Sequence, residues 1–578
     1  MTLDPTAPAR VVAHGGVLQA SAAAAPVPKA IASLDISGGD GHVTATHDGG
    51  GTILRNAHIV LIYWGSAWGN PATNPSQTAF TNAVRGILGG PWGTQLAQYR
   101  GIGPITLEQV DLNTSSDPAT VFTDPQIQAM IDSRISGGFV PMPAAGVDRI
   151  YCVLMPTGHS SGDTPFVGQH QYYDRAGTRV YWAWVTNDGT LTGGNSIPKV
   201  FTHEVAEACS DPDLGSGITL TTVGEGDEIG DTCNNTYSTI NGVAEEAYWS
   251  AADNRCVLPV FRPLPSTAGN PSLVQGKFGT RGNFELVVPE AAAGLYHLFR
   301  NNDNGFLPWS VPTPFGTNSG QVDAVSLIQS SFGSPGNLEI IVRMGANLFH
   351  FWRDSGPAFQ WNGPFAVGSG ASGVPSFVQG RFGNPGNFEL VTPMAGGGLA
   401  HFWREAAPPW TWHGPFAFGQ NAGMVDAVSL IESSYGTPGN LEIVARTGGN
   451  LFHFWRDSGP AFQWNGPFGV GSGASGNPSL IQGRFGNPGN FELVTPMAGG
   501  GLAHFWREAA PPWTWHGPTP FGQNAGAVSA ATMIESNFGT PGNLEVVVQV
   551  GGGLSFFWRD SGPAFQWNGP FTIQSTLW

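Results

Sequence analysis

One short segment of the sequence carries side chains whose types and spacing suit metal-assisted hydrolysis. His203, Glu204 and Glu207 stand in the run VFTHEVAEACSDP. Residues four positions apart project from the same face of a helix, so His203 and Glu207 can bind one cation while Glu204 lies beside them. A Glu in that position polarises the attacking water. The segment therefore predicts a helix with Glu204 as the general base and His203 and Glu207 as metal ligands.

Further ligands for such a site follow downstream. The run GDEIGD offers Glu228 and Asp231 as oxygen ligands, and His170 is another candidate. Because the second position of the helical pair is Glu and not His, the set suits zinc and also a harder ion such as calcium. We expect one divalent metal ion, with zinc as the first choice and calcium as the alternative.

The same helix has an alternative explanation without a metal, since many helices carry a Glu at this spacing on a solvated or hydrogen-bonded face. Phe201, Val205, Ala208 and Cys209 flank the motif and predict a half-buried helix. Free carboxylates are costly in such surroundings unless they are paired or bind a metal. The flanking residues therefore favour the metal site.

The elements that must position these side chains form a mixed pattern. The run AHIVLIYW at residues 57–64 predicts a buried strand. Amphipathic periodicity predicts helices at Gln77–Leu88 and Pro125–Ile135, and further apolar runs predict strands at Arg149–Met155 and Arg179–Thr186. We predict an α+β domain that ends near Pro259.

Three blocks of this region resemble the plant Exordium (phosphate-induced) family and its bacterial relatives. They are VLIYWG, which ends at Gly65, HEVAE with the following Asp211-Pro212, and EIGDTC with the later Cys256. The likeness spans about residues 50–260. It implies an extracellular protein, linked in plants to wall and growth control, and it carries over no settled enzymatic activity.

All four cysteines lie before residue 260 and none forms a CxxC pair. Such a set indicates two disulfides more than a thiolate metal site. Three pairings can form, of which we favour Cys233–Cys256 with Cys152–Cys209; four reduced, buried thiols are the alternative. Disulfides and low charge predict an extracellular protein, although residues 1–35 show no clear signal peptide.

The second half of the chain consists of six repeats. A segment ending in Asn-Phe/Leu-Glu recurs at intervals of 50 to 54 residues, with its Glu at Glu285, Glu339, Glu389, Glu442, Glu492 and Glu545. Alternate copies agree better than adjacent ones, so the unit is a doublet of about 103 residues that occurs three times.

Each repeat divides into four short strands separated by Gly/Pro turns. In the third copy we predict strands at Ser376–Gln379, Phe388–Thr392, Leu399–Arg404 and Trp410–His413. Groups of four strands with a period near 50 residues are typical of β-propeller blades. A solenoid is the alternative, but it needs atypical capping repeats, and the last copy decays only slightly. The sequence therefore predicts a six-bladed propeller.

Two recurrent features of the repeats suit sugar binding. The third strand carries His-x-Trp/Phe-Arg and the fourth is rich in Trp. Aromatic rings stack on the C–H faces of sugars, and Arg, His, Asn or Glu bind the hydroxyls. The alternative is that these residues pack one blade against the next. The candidate carbohydrate-binding residues are Arg353, Trp361, Arg404, Trp410, Trp412, Arg456, Trp464, Arg507, Trp513, Trp515, Arg559 and Trp567.

The repeats resemble the β-propeller lectins, including the six-bladed fucose-binding type, in repeat length and in their aromatic and Arg-bearing strands. The resemblance covers residues 272–573. It implies a multivalent carbohydrate binder with sites between adjacent blades, where several weak sites on one ring give avidity. Because the unit is a doublet, only three of the six grooves are expected to be of one type.

Composition limits the partners. A net charge of −17 argues against nucleic acid, whose phosphates need a basic face. The chain lacks a run of about 18 apolar residues, so we predict no membrane span. With 41% apolar residues, 35 Phe and 20 Trp, wholesale disorder is excluded.

Together these features predict a multidomain protein, with an α+β, zincin-like N-terminal domain followed by an all-β six-bladed propeller. The expected boundaries are a flexible leader at 1–45, the metal-binding domain at 46–260, a linker at 261–271 and the propeller at 272–578. The main functional hypothesis is a secreted metal-dependent hydrolase, most simply a zinc metallopeptidase, that the propeller targets to glycans. The alternative is a non-enzymatic carbohydrate- or cell-surface-binding protein whose first domain is structural or signalling.

Overall fold

The computed structural model describes residues 43–222, 227–234 and 236–577. The chain forms two compact units that divide between Arg262 and Pro263. The first unit also includes Asn304–Pro308 and the last residues from Thr576, while Trp309–Ser575 belongs to the second. The predicted leader, residues 1–45, lies outside the described residues except for its last three positions, which begin a strand.

The first unit is built on a five-stranded mixed sheet with helices on both faces. The α-helices among its described residues are α1 (Gln77–Leu88), α2 (Asp124–Ser136) and α3 (Ile197–Ser210). Its strands are β1 (Val43–Asp48), β2 (His58–Trp64), β3 (Thr106–Asn113), β4 (Val121–Phe122), β5 (Arg149–Thr157), β6 (Ser160–Ser161), β7 (Gly168–Arg175), β8 (Thr178–Asn187), β9 (Ile218–Thr222), β10 (Tyr237–Ile240), β11 (Val243–Glu246), β12 (Tyr248–Ser250), β13 (Arg255–Val257) and β14 (Val260–Pro263).

The main sheet has the strand order β3-β2-β5-β8-β7. Strands β2, β3, β5 and β8 are parallel, and the edge strand β7 is antiparallel to β8. Alternate residues of β2 point to opposite faces, so Leu61 packs in one core with Phe80 of α1 and Phe201 of α3, whereas Ile62 packs with Ile131 of α2. Both faces of the sheet are therefore covered, which explains the unbroken apolar run of β2.

Helices α1 and α2 begin at residues whose side chains satisfy their first backbone N–H groups. The Ser76 side chain accepts a hydrogen bond from the Ala79 backbone N–H at the start of α1. Thr123 and Gln126 form a reciprocal capping box at the start of α2. The bounds of α1 agree with the sequence prediction, and those of α2 differ from it by one residue at each end. None of the described helices is long and apolar enough to cross a membrane.

The cysteines correct one sequence prediction. Cys233 and Cys256 form the predicted disulfide, but Cys152 and Cys209 are free thiols. Cys152 lies on β5 and Cys209 on α3, and both are buried in the apolar core between sheet and helix. Burial raises the pKa of both thiols above their usual range. These two residues therefore act as small apolar side chains and not as a covalent link.

Buried Glu245 on β11 makes the stability of the first unit depend on pH. Burial raises the pKa of this carboxyl from 4.5 to about 8. The folded state therefore holds a proton that the unfolded state releases, and stability falls as pH rises from about 4.5 to about 8. We expect Glu245→Gln to raise the free energy of unfolding by about 2–4 kcal/mol at pH 9 and to leave it unchanged at pH 4. Urea unfolding at the two pH values measures this, and an equal gain at both would contradict it.

The second unit is a six-bladed β-propeller, as predicted. Each blade is an antiparallel sheet of four consecutive strands, and the last strand of the chain, β39 (Gln574–Leu577), pairs with β14. Blade one consists of β15 (Ser272–Gln275), β16 (Phe284–Pro289), β17 (Leu295–Arg300) and β18 (Thr313–Phe315), and blade two consists of β19 (Ala324–Gln329), β20 (Leu338–Met344), β21 (Asn347–Arg353) and β22 (Trp361–Ser369). Blade three consists of β23 (Ser376–Gln379), β24 (Phe388–Pro393), β25 (Leu399–Arg404) and β26 (Trp412–Phe418), and blade four consists of β27 (Ala427–Glu432), β28 (Leu441–Thr447), β29 (Asn450–Arg456) and β30 (Trp464–Ser472). Blade five consists of β31 (Ser479–Gln482), β32 (Phe491–Pro496), β33 (Leu502–Arg507) and β34 (Trp515–Phe521), and blade six consists of β35 (Val528–Glu535), β36 (Leu544–Val550), β37 (Gly553–Arg559) and β38 (Trp567–Thr572).

A belt of hydroxyl groups joins the innermost strands and closes the ring. In each blade a Ser or Thr hydroxyl accepts a hydrogen bond from a backbone N–H of the next blade. The acceptors are Ser272, Ser326, Ser376, Ser429, Ser479 and Thr532. The donor to Thr532 of blade six is Leu273 of blade one, at 3.1 Å. This bond joins the last blade to the first, so the blades form a closed ring and not an open solenoid.

The predicted fourth strand of the third blade begins two residues too early. It starts at Trp412 and not at Trp410. Trp410 lies in the preceding turn with a positive φ of 54°, and its counterpart Trp513 has a φ of 57°. A left-handed residue cannot continue the extended backbone of a strand, so the turn absorbs these two Trp residues.

Candidate functional site

The recurrent Arg and Glu residues meet across the boundaries between successive blades. The pKa of Arg353 in blade two is lowered by burial, and Glu285 of blade one opposes that shift. The same relation joins Arg404 to Glu339, Arg456 to Glu389 and Arg559 to Glu492. These four boundaries therefore each place a guanidinium of one blade near a carboxylate of the blade before it, and we call the corresponding place at every blade boundary an inter-blade groove.

A histidine of the same blade holds each of these carboxylates. His297 Nε2 lies 2.7 Å from Glu285 Oε2. Equivalent pairs, at 2.6 to 2.8 Å, are His350–Glu339, His401–Glu389, His453–Glu442 and His504–Glu492. The His residues of the repeat are buried, so they orient the Glu residues and do not themselves face solvent.

The guanidinium groups keep an unused donor. The Nε atoms of Arg353, Arg404, Arg456, Arg507 and Arg559 are buried and have no hydrogen-bond partner among the described residues. Aromatic rings flank the same groups; for example, the guanidinium of Arg353 lies 5.0 Å from the ring centre of Phe278 and 5.2 Å from that of Phe359. A buried N–H without an acceptor is costly, so each groove is ready to receive one.

The Trp residues that begin the fourth strands pack blade against blade. Trp361, Trp464 and Trp567 each stack on a Phe of the preceding blade, with ring centres 3.8 to 4.0 Å apart. All five, including Trp412 and Trp515, also meet a His of the preceding blade edge-on, namely His297, His350, His401, His453 and His504. In the three stacked cases a protein ring already covers one face of the Trp.

Another set of rings is exposed beside the grooves. Trp410 and Trp513 are 50% and 49% exposed. In blades two, four and six the same turn position holds Phe359, Phe462 and Phe565. These rings are 46 to 47% exposed, and the residues have the same left-handed backbone. These Phe residues were not predicted, although the alignment of the repeats places them at the same position as Trp410.

The grooves fall into two kinds. Arg353, Arg456 and Arg559 each lie between two Phe rings, one of them the exposed Phe of the turn. Arg404 and Arg507 lie closest to the ring of a buried Phe, at 4.1 and 3.9 Å. Three grooves are therefore of one type, as the doublet predicts, and two are of another.

The groove between blades six and one is closed. Arg300 is only 3% exposed, and its Nε donates to Asn302 Oδ1 at 2.8 Å. Burial lowers the pKa of Arg300 to about 10 and raises that of Glu545 to about 7. Phe556 stands where the other blades have His, so Glu545 lacks the histidine partner. This groove has neither the unused donor nor the opening of the others.

The first unit contains a separate cluster of carboxylates and histidines. Helix α3 carries His203, Glu204 and Glu207, as predicted, and all three face the same buried space as His170 of β7. The predicted ligands Glu228 and Asp231 also reach it. Glu228 Oε1 lies 3.3 Å from His170 Nε2, and Asp231 Oδ1 lies 3.6 Å from His203 Nε2. The structure thus brings together every metal-site residue that the sequence singled out.

Two residues of the cluster were not predicted. Glu246 of β11 lies 3.0 Å from His203 Nδ1 through its Oε2 atom, and its Oε1 atom lies 2.7 Å from Lys199 Nζ. Lys199 precedes His203 by four residues on α3, so spacing alone could have placed it on the same face. Glu246 comes from a distant strand, and no local pattern marks it.

The electrostatics of the cluster are dominated by buried negative charge. Burial alone would lower the pKa of His170 and of His203, but the surrounding carboxylates raise both well above the usual value. The pKa of Glu207 is also raised, first by burial and then, against the opposing effect of His203, by Glu228 and Asp231. The cluster therefore attracts positive charge, either protons or a cation.

Two glycines leave room for these carboxylates. A Cβ added at Gly168 of β7 would lie 2.5 Å from Glu204 Oε1, and one at Gly230 would lie 2.6 Å from Glu207 Oε1. Any larger residue would displace a carboxylate. The imidazoles, the carboxylates and this cradle fit a divalent cation of the zinc or calcium kind.

Comparisons with known proteins give structural neighbours only. No protein-family model and no curated protein matches the chain, so the resemblance of residues 50–260 to the Exordium family stays a prediction. The BP39L lectin from Burkholderia pseudomallei is 20% identical, and the match covers 58% of this chain and 94% of that chain with a TM-score of 0.39. The fucose-specific lectin from Aleuria aurantia is 16% identical, with coverages of 53% and 97% and a TM-score of 0.39. AofleA from Arthrobotrys oligospora is 9% identical, with coverages of 55% and 91% and a TM-score of 0.40. At these identities and TM-scores the likeness carries no argument about function.

Proposed function

We propose that the protein binds carbohydrate through the open inter-blade grooves of its propeller. The observation that carries this proposal is the set of aromatic rings around guanidinium groups whose Nε donor is unused, at Arg353, Arg404, Arg456, Arg507 and Arg559. A sugar hydroxyl can accept from the guanidinium and donate to the Glu of the preceding blade at the same time. The exposed turn ring beside the groove offers a face for the C–H side of the sugar.

The distribution of the grooves supports a multivalent binder. Five grooves keep the unused donor, and the sixth is closed by Arg300. Weak sites held on one rigid ring bind a glycan-coated surface far more tightly than a single sugar. We place the protein outside the cell, where glycans are displayed and where the Cys233–Cys256 disulfide is stable.

A glycan array with the full chain tests this proposal. The panel includes glycans that end in L-fucose, D-mannose and D-galactose. We expect the triple variant Arg353→Ala, Arg456→Ala and Arg559→Ala to weaken binding to the wild-type ligand about 10–100-fold, since each altered groove loses a charged hydrogen bond worth about 1.5–3 kcal/mol.

The matched control is Arg343→Ala with Arg446→Ala. Both residues occupy the same position in their repeats and pair with Asp323 and Asp426. Their Nε atoms are also unused, so the control shows whether an unused donor without the surrounding rings matters for binding. The control should bind as the wild type does. A triple variant with unchanged binding would place the site elsewhere, and a blank array with the wild type would refute carbohydrate binding.

A second function, metal-dependent hydrolysis by the first unit, is favoured by the convergence of His203, Glu204 and Glu207 with Glu228 and Asp231. In this zincin-like arrangement His203, Glu207 and one of the two downstream carboxylates would hold a zinc ion. Bound zinc would supply Lewis-acid activation of a water molecule. Glu204 lies beside the ligand pair and would act as the general base that accepts a proton from the attacking water. The simplest substrate class is a peptide.

A further inference from the structure

We infer that the cluster of the first unit binds two divalent cations, which share the carboxylate of Glu207. The inference rests on the metal site proposed above and goes beyond it in the number of ions and in the ligands of each. One site comprises His203, Glu207 and Asp231, and the other comprises His170, Glu207 and Glu228. Within each trio the ligand atoms lie within 4.8 Å of one another.

The two oxygens of Glu207 face different histidines. Its Oε1 atom lies 3.2 Å from His203 Nε2, and its Oε2 atom lies 3.6 Å from His170 Nδ1. A carboxylate that presents one oxygen to each of two ligand sets has the geometry of a bridge. Bridged ions in two-metal sites lie about 3.5–4 Å apart. Glu207 is 2% exposed, so packing fixes this orientation.

Charge balance favours two ions over one. Glu204, Glu207, Glu228 and Asp231 carry four negative charges, and histidines that bind metal are neutral. Glu246 is already balanced by Lys199. With all four carboxylates ionised, one divalent ion leaves an excess of two negative charges that bound protons must balance, whereas two ions leave none. Uncompensated buried charge is expensive.

Each of the two sites has ligand atoms prepared for a metal ion: in one site they lack a hydrogen-bond partner, and in the other a neighbouring carboxylate orients the histidine. His170 Nε2 and Glu228 Oε1 are buried and make no hydrogen bond within the described part of the chain. On the other side, Glu246 lies against His203 Nδ1 and leaves His203 Nε2 pointing towards Glu207 and Asp231. A carboxylate on the far nitrogen is the usual support of a metal-binding histidine. The two sites are therefore prepared independently.

Metal stoichiometry of the full chain tests the inference. The protein is stripped with a chelator and titrated with Zn²⁺, and separately with Mn²⁺. We expect two equivalents per chain for the wild type, one for Glu228→Gln, and one for Asp231→Asn. The exposed carboxylate variant Asp188→Asn is the matched control and should keep two.

Electron paramagnetic resonance of the Mn²⁺-loaded wild type gives a readout that needs no variant. Two ions bridged by Glu207 should give an exchange-coupled spectrum, and Asp231→Asn should give the spectrum of an isolated ion. One equivalent in the wild type with an uncoupled spectrum would overturn the two-ion inference and leave the hydrolase proposal standing. No bound metal at all would refute both.

Discussion

Glu204→Gln is expected to lower casein hydrolysis by the zinc-loaded protein about 10²–10⁴-fold, the usual worth of a general base. Gln keeps the size of the side chain in the cradle beside Gly168 but cannot accept a proton at neutral pH. His203 and Glu207 stay in place on α3, so the variant should still bind zinc. The measurements are the rate of peptide release and the zinc content of the same preparation.

This variant separates catalysis from metal binding. Asp188→Asn, at an exposed position of the same unit, is the control and should keep full activity. Loss of both zinc and activity in Glu204→Gln would make Glu204 a ligand and not the base. A zinc-loaded wild type without hydrolysis would leave the metal as a stabiliser of the fold and would favour the binding protein without an enzyme.

The sequence predicts helix α3 and the proximity of its polar side chains because the information is local. His203, Glu204 and Glu207 fall on one face through helical spacing, and apolar neighbours on the other side bury that helix. The contribution of Glu246 is different in kind. It approaches His203 through strand β11, more than forty residues along the chain, and only the packed structure brings the two together.

The propeller is predicted because repetition reveals its period and its strands. The orientation of individual rings is harder to foresee. Trp361 and Trp410 both belong to aromatic stretches near the fourth strand, yet Trp361 stacks on Phe315 inside a blade boundary and Trp410 is half-exposed. The left-handed backbone at Trp410 causes this difference, and the amino-acid composition does not reveal the sign of a φ angle.

The two remaining cysteines illustrate the same limit. An even number of cysteines predicts pairs, and the pairing of Cys233 with Cys256 is confirmed. Cys152 on a central strand and Cys209 on α3 complete the even number of cysteines, but they are buried free thiols. Counting cysteines cannot distinguish a disulfide from two small apolar residues that pack in one core.

Lys199→Met is expected to lower the free energy of unfolding of the first unit by about 3–5 kcal/mol at pH 8. Lys199 and Glu246 are both buried, and their 2.7 Å ion pair is the main compensation of the Glu246 charge. Removing the cation leaves a buried carboxylate that also faces the negative cluster around Glu207. The ion pair therefore stabilises the fold and also keeps Glu246 in position beside His203 of the proposed metal site.

The double variant Lys199→Met with Glu246→Gln decides whether charge is the cause. Since it removes both members of the pair, it should regain most of the stability lost in Lys199→Met. The measurement is the urea transition of the first unit in the full chain, with the transition of the propeller as the internal reference. Equal destabilisation of the single and double variants would show that Lys199 acts through packing of its stem. A regained fold with zinc affinity still about 10–100-fold weaker would show that Glu246 orients His203 in addition to balancing Lys199.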